Sequence, residues 1–206
     1  LPSRYSRIDT ALFRIKTDSE IVTAQSVSGK TAYTNAGQTL RQGIEFSGRQ
    51  QFSDKWKGQI SATYLRATYE NYINYQGVNY SGNTLPAVPN KEIFTSVTWS
   101  QKGFQPNQTK QISGAEATLD WFGRSVMWAN DSNVANSAAS GFGIFNARVK
   151  QRFEIGPSQL EAYLGINNLT DQKTIGSVII NQSSSQYFEP GLPRNWVVGL
   201  TGKLPL

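Results

Sequence analysis

The sequence predicts an all-β protein whose antiparallel strands cross a membrane as part of a β-barrel. Three observations lead there. Apolar and polar residues alternate with a period of two along eight separate runs, and no convincing amphipathic helix interrupts them. No apolar run approaches the ~18 residues a membrane helix needs; Val178-Ile179-Ile180 is typical of the longest. Short connections alternate with long polar ones along the chain, as in barrels with short periplasmic turns and long outer loops.

Taken in order, the first run sets Ala11, Phe13 and Ile15 against Arg14 and Lys16, and a long polar connector follows over 19–37. The second sets Leu40, Ile44 and Phe46 against Arg41, Glu45 and Arg49, then turns at Phe52–Lys55. The third sets Ile60, Ala62 and Tyr64 against Gln59, Ser61 and Thr63 before a long connector at about 70–90. In the fourth, Ile93, Val97 and Trp99 oppose Ser96, Thr98 and Ser100, with a short link at Lys102–Thr109. The fifth is the clearest: Ala115, Ala117, Leu119 and Trp121 alternate with Glu116, Thr118 and Asp120. After a long connector at 129–141, Phe145, Ala147, Val149, Gln151 and Phe153 alternate with Asn146, Arg148, Lys150 and Arg152. A short turn at Gly156–Ser158 leads to Leu160, Ala162, Leu164 and Ile166, alternating with Glu161, Tyr163, Gly165 and Asn167. The last long connector covers 171–193. Beyond it Trp196, Val198, Leu200, Gly202, Leu204 and Leu206 alternate with Val197, Gly199, Thr201 and Lys203.

Composition narrows the function. Ser, Thr, Asn and Gln account for 68 of 206 residues, whereas apolar residues reach only 38 % and aromatics 12 %. Such a chain is too aromatic to be disordered and too polar for an ordinary soluble core. It has no Cys and no His, which excludes thiol catalysis, Ser-His-Asp triads and zinc sites built on those ligands. No residue is a catalytic or metal-ligating candidate, no cofactor is implied, and an enzyme is not expected. The net charge of +6 is spread along the chain with acids among the bases, so a nucleic-acid partner is not expected either.

A soluble sandwich also alternates, so the faces must be told apart. The polar faces carry full charges in mid-strand (Glu116, Asp120, Arg148, Lys150), which suits a wet lumen. The apolar faces place Phe52, Trp56, Trp99, Trp121, Phe153 and Trp196 near strand ends, where an aromatic girdle meets headgroups. Eight strands either close a small barrel or form one arc of a larger one. The absence of an initiator Met and a leader, with loops of about 20 residues, favours the arc.

Tyr33-Thr34-Asn35-Ala36-Gly37-Gln38-Thr39, with Arg41, Gly43 and Glu45, resembles a segment of TonB-dependent outer-membrane receptors. Asn167-Asn168-Leu169-Thr170-Asp171-Gln172-Lys173 resembles their box near the end of the barrel. Residues 176–181, then Tyr187-Phe188-Glu189-Pro190-Gly191 and Pro193-Arg194-Asn195-Trp196, are similar to the closing segment of the ferric-citrate and pyrroloquinoline-quinone receptor branch. Trp128-Ala129-Asn130-Asp131, with Phe145-Asn146-Ala147-Arg148, fits the same branch. The expected terminal aromatic is replaced by Leu206. The resemblance implies a bacterial outer-membrane barrel of about 22 strands around a plug domain, with 1–206 as its C-terminal portion and the plug outside this chain. It also implies uptake of a siderophore chelate or similar small ligand, driven by TonB through the missing plug segment, in a wall bathed by lipopolysaccharide and outer-membrane lipid.

Two regions are candidates for holding ligand. The loop Tyr69–Tyr80 offers Tyr69, Tyr72 and Tyr75 among asparagines, rings that stack and hydroxyls that hydrogen-bond. The same loop also reads as one that packs on itself or against lipopolysaccharide. The second region is Trp128-Ala129-Asn130-Asp131 at a strand top, with Trp128 and Asn130 as its candidates, and lumen-facing Asn146 and Arg148. Arg148 suits an anionic ligand, but a lumen ion pair with Glu116 or Glu154 is the favoured reading.

Overall fold

Alternating side chains need neighbours on both sides of each strand before they define two faces, and the topology supplies them in the simplest way. A computed structural model describes residues 5–104 and 113–204. In chain order its strands are β1 (Ser6–Asp18), β2 (Ile21–Val27), β3 (Lys30–Asn35), β4 (Gln38–Gln51), β5 (Trp56–Asn71), β6 (Lys91–Ser100) and β7 (Gly114–Arg124). There follow β8 (Met127–Trp128), β9 (Ala138–Ala139), β10 (Phe142–Ile155), β11 (Ser158–Asn167), β12 (Ile175–Val178), β13 (Phe188–Pro190) and β14 (Asn195–Lys203). Eight of them form one sheet in the order β1-β4-β5-β6-β7-β10-β11-β14, every pair antiparallel and sequentially adjacent. These are the eight runs of the sequence. The sheet is open, with β1 and β14 at its edges, so the closed eight-stranded barrel is not what this chain forms. Leu206, part of the link at Lys102–Thr109 and the start of the chain lie outside the described residues.

Directly opposed residues share a face, and the register sorts the side chains cleanly. On one face Lys150 lies opposite Glu116 and bonds it at 2.8 Å; Arg152 reaches Glu116 at 3.0 Å and Glu161 at 2.5 Å. Thr98 and Thr118 share a 3.1 Å hydrogen bond on the same face. This face is concave, since residues from β4, β5, β6, β7 and β10 line one cavity of about 640 Å³ along it. The other face carries Val149 against Ala117, Ala162 against Leu200 and Leu164 against Val198. Among the described residues nothing covers it: Val149 is 51 % exposed and Leu200 70 %. A sandwich would have sealed this series under a second layer.

The first strand departs from the expected facing. Ala11, Phe13 and Ile15 lie opposite Glu45, Gly43 and Arg41, on the concave side, while Ile8 and Leu12 point outward with Gly48 and Ile44. Both parities of β1 contain apolar residues, so alternation within this strand could not choose; its pairing with β4 does.

Local chemistry sets the ends. Gly156 at φ +60° followed by Pro157, which cannot take a positive φ, fits the Gly-first two-residue turn that joins β10 to β11. On the convex side the Trp121 ring lies across Gly123 and Gly143, so an added Cβ at either would meet it at 2.5 and 2.9 Å. The long connectors are not bare loops. Hairpin β2–β3 occupies the first, β8–β9 with a 3-10 turn at Ala135–Ser137 the third, and β12–β13 the fourth. The apolar cluster sits here, at the top, rather than between layers: Val22, Ala36, Ala67, Tyr69, Tyr72 and Leu85 are all buried.

The exposed convex face predicts an asymmetric response to charge. Ala117→Arg or Leu164→Arg should destabilise by about 2–4 kcal/mol in a lipid refolding titration, the cost of a cation facing the mid-bilayer, and Thr118→Arg should cost little. Equal losses for all three would contradict the assignment of faces.

Candidate ligand-binding site among the outer loops

The strands β4 and β5, at 14 and 16 residues, exceed the ~9–11 that a tilted strand needs to span hydrocarbon. Their upper ends therefore rise past the apolar band and deliver side chains into the loops. Tyr69, near the top of β5, donates from its hydroxyl to Asp131 Oδ1 at 2.6 Å. Asn181 Nδ2 donates to Asp131 Oδ2 at 2.9 Å and to the Thr23 carbonyl at 2.7 Å, while Asp131 N donates back to Asn181 Oδ1. Asn83 Nδ2 donates to the Asp131 carbonyl at 2.7 Å. Asp131 and Asn181 together thus tie the four long connectors: the Asp131 carboxylate binds Tyr69 of β5 and Asn181, its carbonyl binds Asn83, and Asn181 reaches back to Thr23.

Asparagine does most of this joining. The Asn133 side chain accepts from Thr84 N at 2.7 Å and donates to Thr84 O at 3.0 Å, an amide standing in for a strand neighbour. Asn133 and Asn181 both adopt φ +52°, a left-handed conformation that asparagine tolerates better than most residues. Ser137 Oγ donates to Asn130 Oδ1 at 2.8 Å, and Arg124 Nη2 holds the Ile175 carbonyl at 2.5 Å. Glu20, at the start of the first connector, is held by Arg41 at 2.5 Å and by Thr39.

Electrostatics follow burial. Asp131 is 4 % exposed, and desolvation pushes its carboxyl above the ordinary range, partly offset by the hydrogen bonds from Tyr69 and Asn181. Burial, with the nearby Asp131 charge, pushes the Tyr72 phenol up to about 12. The Arg41 guanidinium holds the Glu20 carboxyl below its ordinary range.

Above this node opens a cavity of about 220 Å³. Tyr72, Tyr75, Tyr80 and Tyr187 line it with Asn130 and Gln25, and among the described residues no cationic side chain does. Three of the residues expected from sequence, Tyr72, Tyr75 and Asn130, therefore meet in one place. Tyr69 does not line the cavity; it is 1 % exposed and supports it from beneath. Trp128 pairs with Ala138 in the β8–β9 hairpin, its carbonyl accepting from Ala87 N. Asn146 and Arg148 lie elsewhere, on the wall of the concave cavity beside Asp120. Arg148 meets Asp120 at 4.0 Å rather than Glu116 or Glu154, because the register sets Lys150 opposite Glu116 and leaves Arg148 one pair away from Asp120. Asp131 and Asn181, the centre of the node, stand out in the sequence only as members of the segments 128–131 and 176–181, and nothing there pairs them.

The sequence matches the TonB dependent receptor-like, beta-barrel family over residues 2–169. Among solved structures the chain is similar to the unliganded ferric citrate transporter FecA, with 20 % identity, a TM-score of 0.73, and coverage of 97 % of this chain and 30 % of that one. It is similar to BauA, the ferric preacinetobactin receptor of Acinetobacter baumannii, at 16 % identity and TM-score 0.70, covering 96 % and 27 %. The ferric yersiniabactin uptake receptor FyuA of Yersinia pestis aligns at 16 % and 0.68, covering 97 % and 28 %. The chain thus spans less than a third of the length of these structures.

Asp131 makes closure of the loops pH-dependent. Its proton is bound more tightly in the folded cluster than in an unfolded chain. The resulting stabilisation is full below the ordinary value of about 3.9 and is lost as pH rises through the raised folded value. Glu20 acts in the opposite sense, and only near and below about pH 4.3. Denaturant opening of the loops in the intact protein, followed by tyrosine near-ultraviolet circular dichroism, should therefore grow easier as pH rises above the ordinary aspartate value, with that slope absent in Asp131→Asn. Asn181→Ala should cost about 1.5–3 kcal/mol of the same transition, the worth of bonds to a charged partner. A wild-type slope of the opposite sign would refute the assignment. The family match, the open eight-stranded sheet and its exposed apolar face agree: this chain belongs to the TonB-dependent receptor β-barrel family, as a stretch of outer-membrane barrel wall.

Proposed function

We propose that this chain forms the C-terminal part of the barrel and part of the outer mouth of a receptor that imports a small ligand, with an iron chelate the leading class. The observation that carries the reading is the gathering of all four long connectors over one tyrosine- and amide-lined cavity at a single end of the sheet. Stacking faces with convergent hydroxyl and amide groups are what a small polar chelate needs for capture. The similar structures named above, for ferric citrate, ferric preacinetobactin and ferric yersiniabactin, support the class. In this reading a plug domain fills the concave side, where Glu116, Asp120, Arg148 and Lys150 present a charged, wet wall. TonB acts on that plug from the periplasm, and the energy enters there. No residue of this chain is given a catalytic role.

The test uses the full-length receptor. Tyr75 is 75 % exposed at the cavity, so Tyr75→Ala removes a contact surface without disturbing the buried cluster. Tyr75→Ala combined with Asn130→Ala should weaken binding of the transported ferric chelate by about tenfold, or ~1.4 kcal/mol. Unchanged affinity in the double variant, measured by quenching of intrinsic fluorescence, would remove these loops from the capture site.

A further inference from the structure

The convex face has one corner that its apolar role does not explain. Across the described parts of β7, β10, β11 and β14 the outward positions carry no formal charge. At the loop end of β1, β5 and β6 they carry four cations. Tyr64 lies opposite both Ile44 and Lys91, and Ile44 lies opposite Leu12, so Lys91 sits at the upper edge of the apolar band. One row higher, Arg14 and Arg66 both lie opposite Gln42. One row above that is Lys16, opposite Leu40. Successive rows are about 7 Å apart along a strand, and Arg14 and Arg66 are about 10 Å apart across the sheet. All four are exposed, and among the described residues none forms an ion pair, unlike Arg7, Arg41, Arg148, Lys150 and Arg152. Glu92, which follows Lys91 in β6, lies opposite Thr63 on the concave side, and Asp18 and Glu70 lie further toward the loops, Asp18 already accepting from Gln38 at 2.8 Å.

We propose that Arg14, Lys16, Arg66 and Lys91 form an outer-leaflet docking site for the phosphate groups of a phosphorylated glycolipid. The apolar row of Leu12, Ile44 and Tyr64 is immersed in acyl chains, so whatever lies against the cations directly above it shares that lipid layer. Unpaired cations at this height call for anions from the lipid, and long side chains reach from a sheet surface to headgroup level. Arg14 and Arg66 offer planar forks for bidentate phosphate contacts, with Lys16 and Lys91 as flanking point charges. Tyr64, half exposed beside Lys91, marks the interface with an amphipathic ring. This site is on the outside of the wall and takes no part in capture of the imported ligand.

The experiment titrates the full-length receptor in detergent with diphosphoryl lipid A and reads bound lipid by native mass spectrometry. Wild type should hold this lipid at least tenfold more tightly than Arg14→Gln/Lys16→Gln/Arg66→Gln/Lys91→Gln, and rising salt should erase the difference. Each half, Arg14→Gln/Lys16→Gln and Arg66→Gln/Lys91→Gln, should lose about threefold, which keeps the test decisive if the fourfold variant assembles poorly. Lys30→Gln, on an outer hairpin tip, should behave as wild type. Dephosphorylated lipid A should bind all variants alike and weakly. The proposal is overturned if the cation variants retain diphosphoryl lipid A as wild type does, or if removing its phosphates leaves binding unchanged. Equal affinity for inorganic phosphate alone would mark a soluble-anion site and overturn it too.

Discussion

Hydrocarbon offers no hydrogen-bond partners, so a backbone that crosses it must satisfy every N–H and C=O internally. In an antiparallel sheet the neighbouring strand does this, and the side chains are then free to differ on the two faces. The rest of the molecule follows from that arrangement. The convex face is apolar because it meets lipid, and the concave face can carry Glu116, Asp120, Lys150 and Arg152 because it does not. The open edges at β1 and β14 require further strands in a bilayer. This agrees with a chain that covers only part of the length of the structures it resembles.

A wall one strand thick has no interior of its own, and this displaces the apolar cluster to the top. There the polar composition that looked unsuited to a soluble core finds its use. Asn133, Asn181 and Asn83 join separate connectors through side-chain amides, each bonding backbone that no strand neighbour reaches. Asp131 is affordable in that setting because Tyr69 and Asn181 both donate to it. The loops therefore form one body, and the cavity above them has a fixed floor.

The sheet was largely legible in the sequence because period two survives any tertiary context that keeps one face wet. Runs such as 115–121 and 145–153 therefore appear in the structure with the expected pairing and facing. The first strand was not legible, since Ala11, Phe13 and Ile15 compete with Ile8 and Leu12 and only the partner strand decides. The candidate site was half legible. Tyrosine density marked Tyr72 and Tyr75, but Tyr69 turned inward because β5 continues past the bilayer and alternation carries it to the concave side. Contacts between residues 50 or more apart, such as Asp131 with Asn181, leave no local pattern to read. Nor could sequence say that Arg148 meets Asp120, since a partner one row away depends on register.

Because the chain contains no cysteine, single cysteines can be introduced one at a time along β10 and spin-labelled in the full-length receptor in lipid bilayers. From Phe145→Cys to Phe153→Cys, power saturation should alternate. Odd positions should collide with oxygen dissolved in the acyl chains, and even ones should be shielded from it. A smooth profile, or the opposite phase at Ala147, Val149 and Gln151, would contradict a wall with lipid on one face and a polar interior on the other.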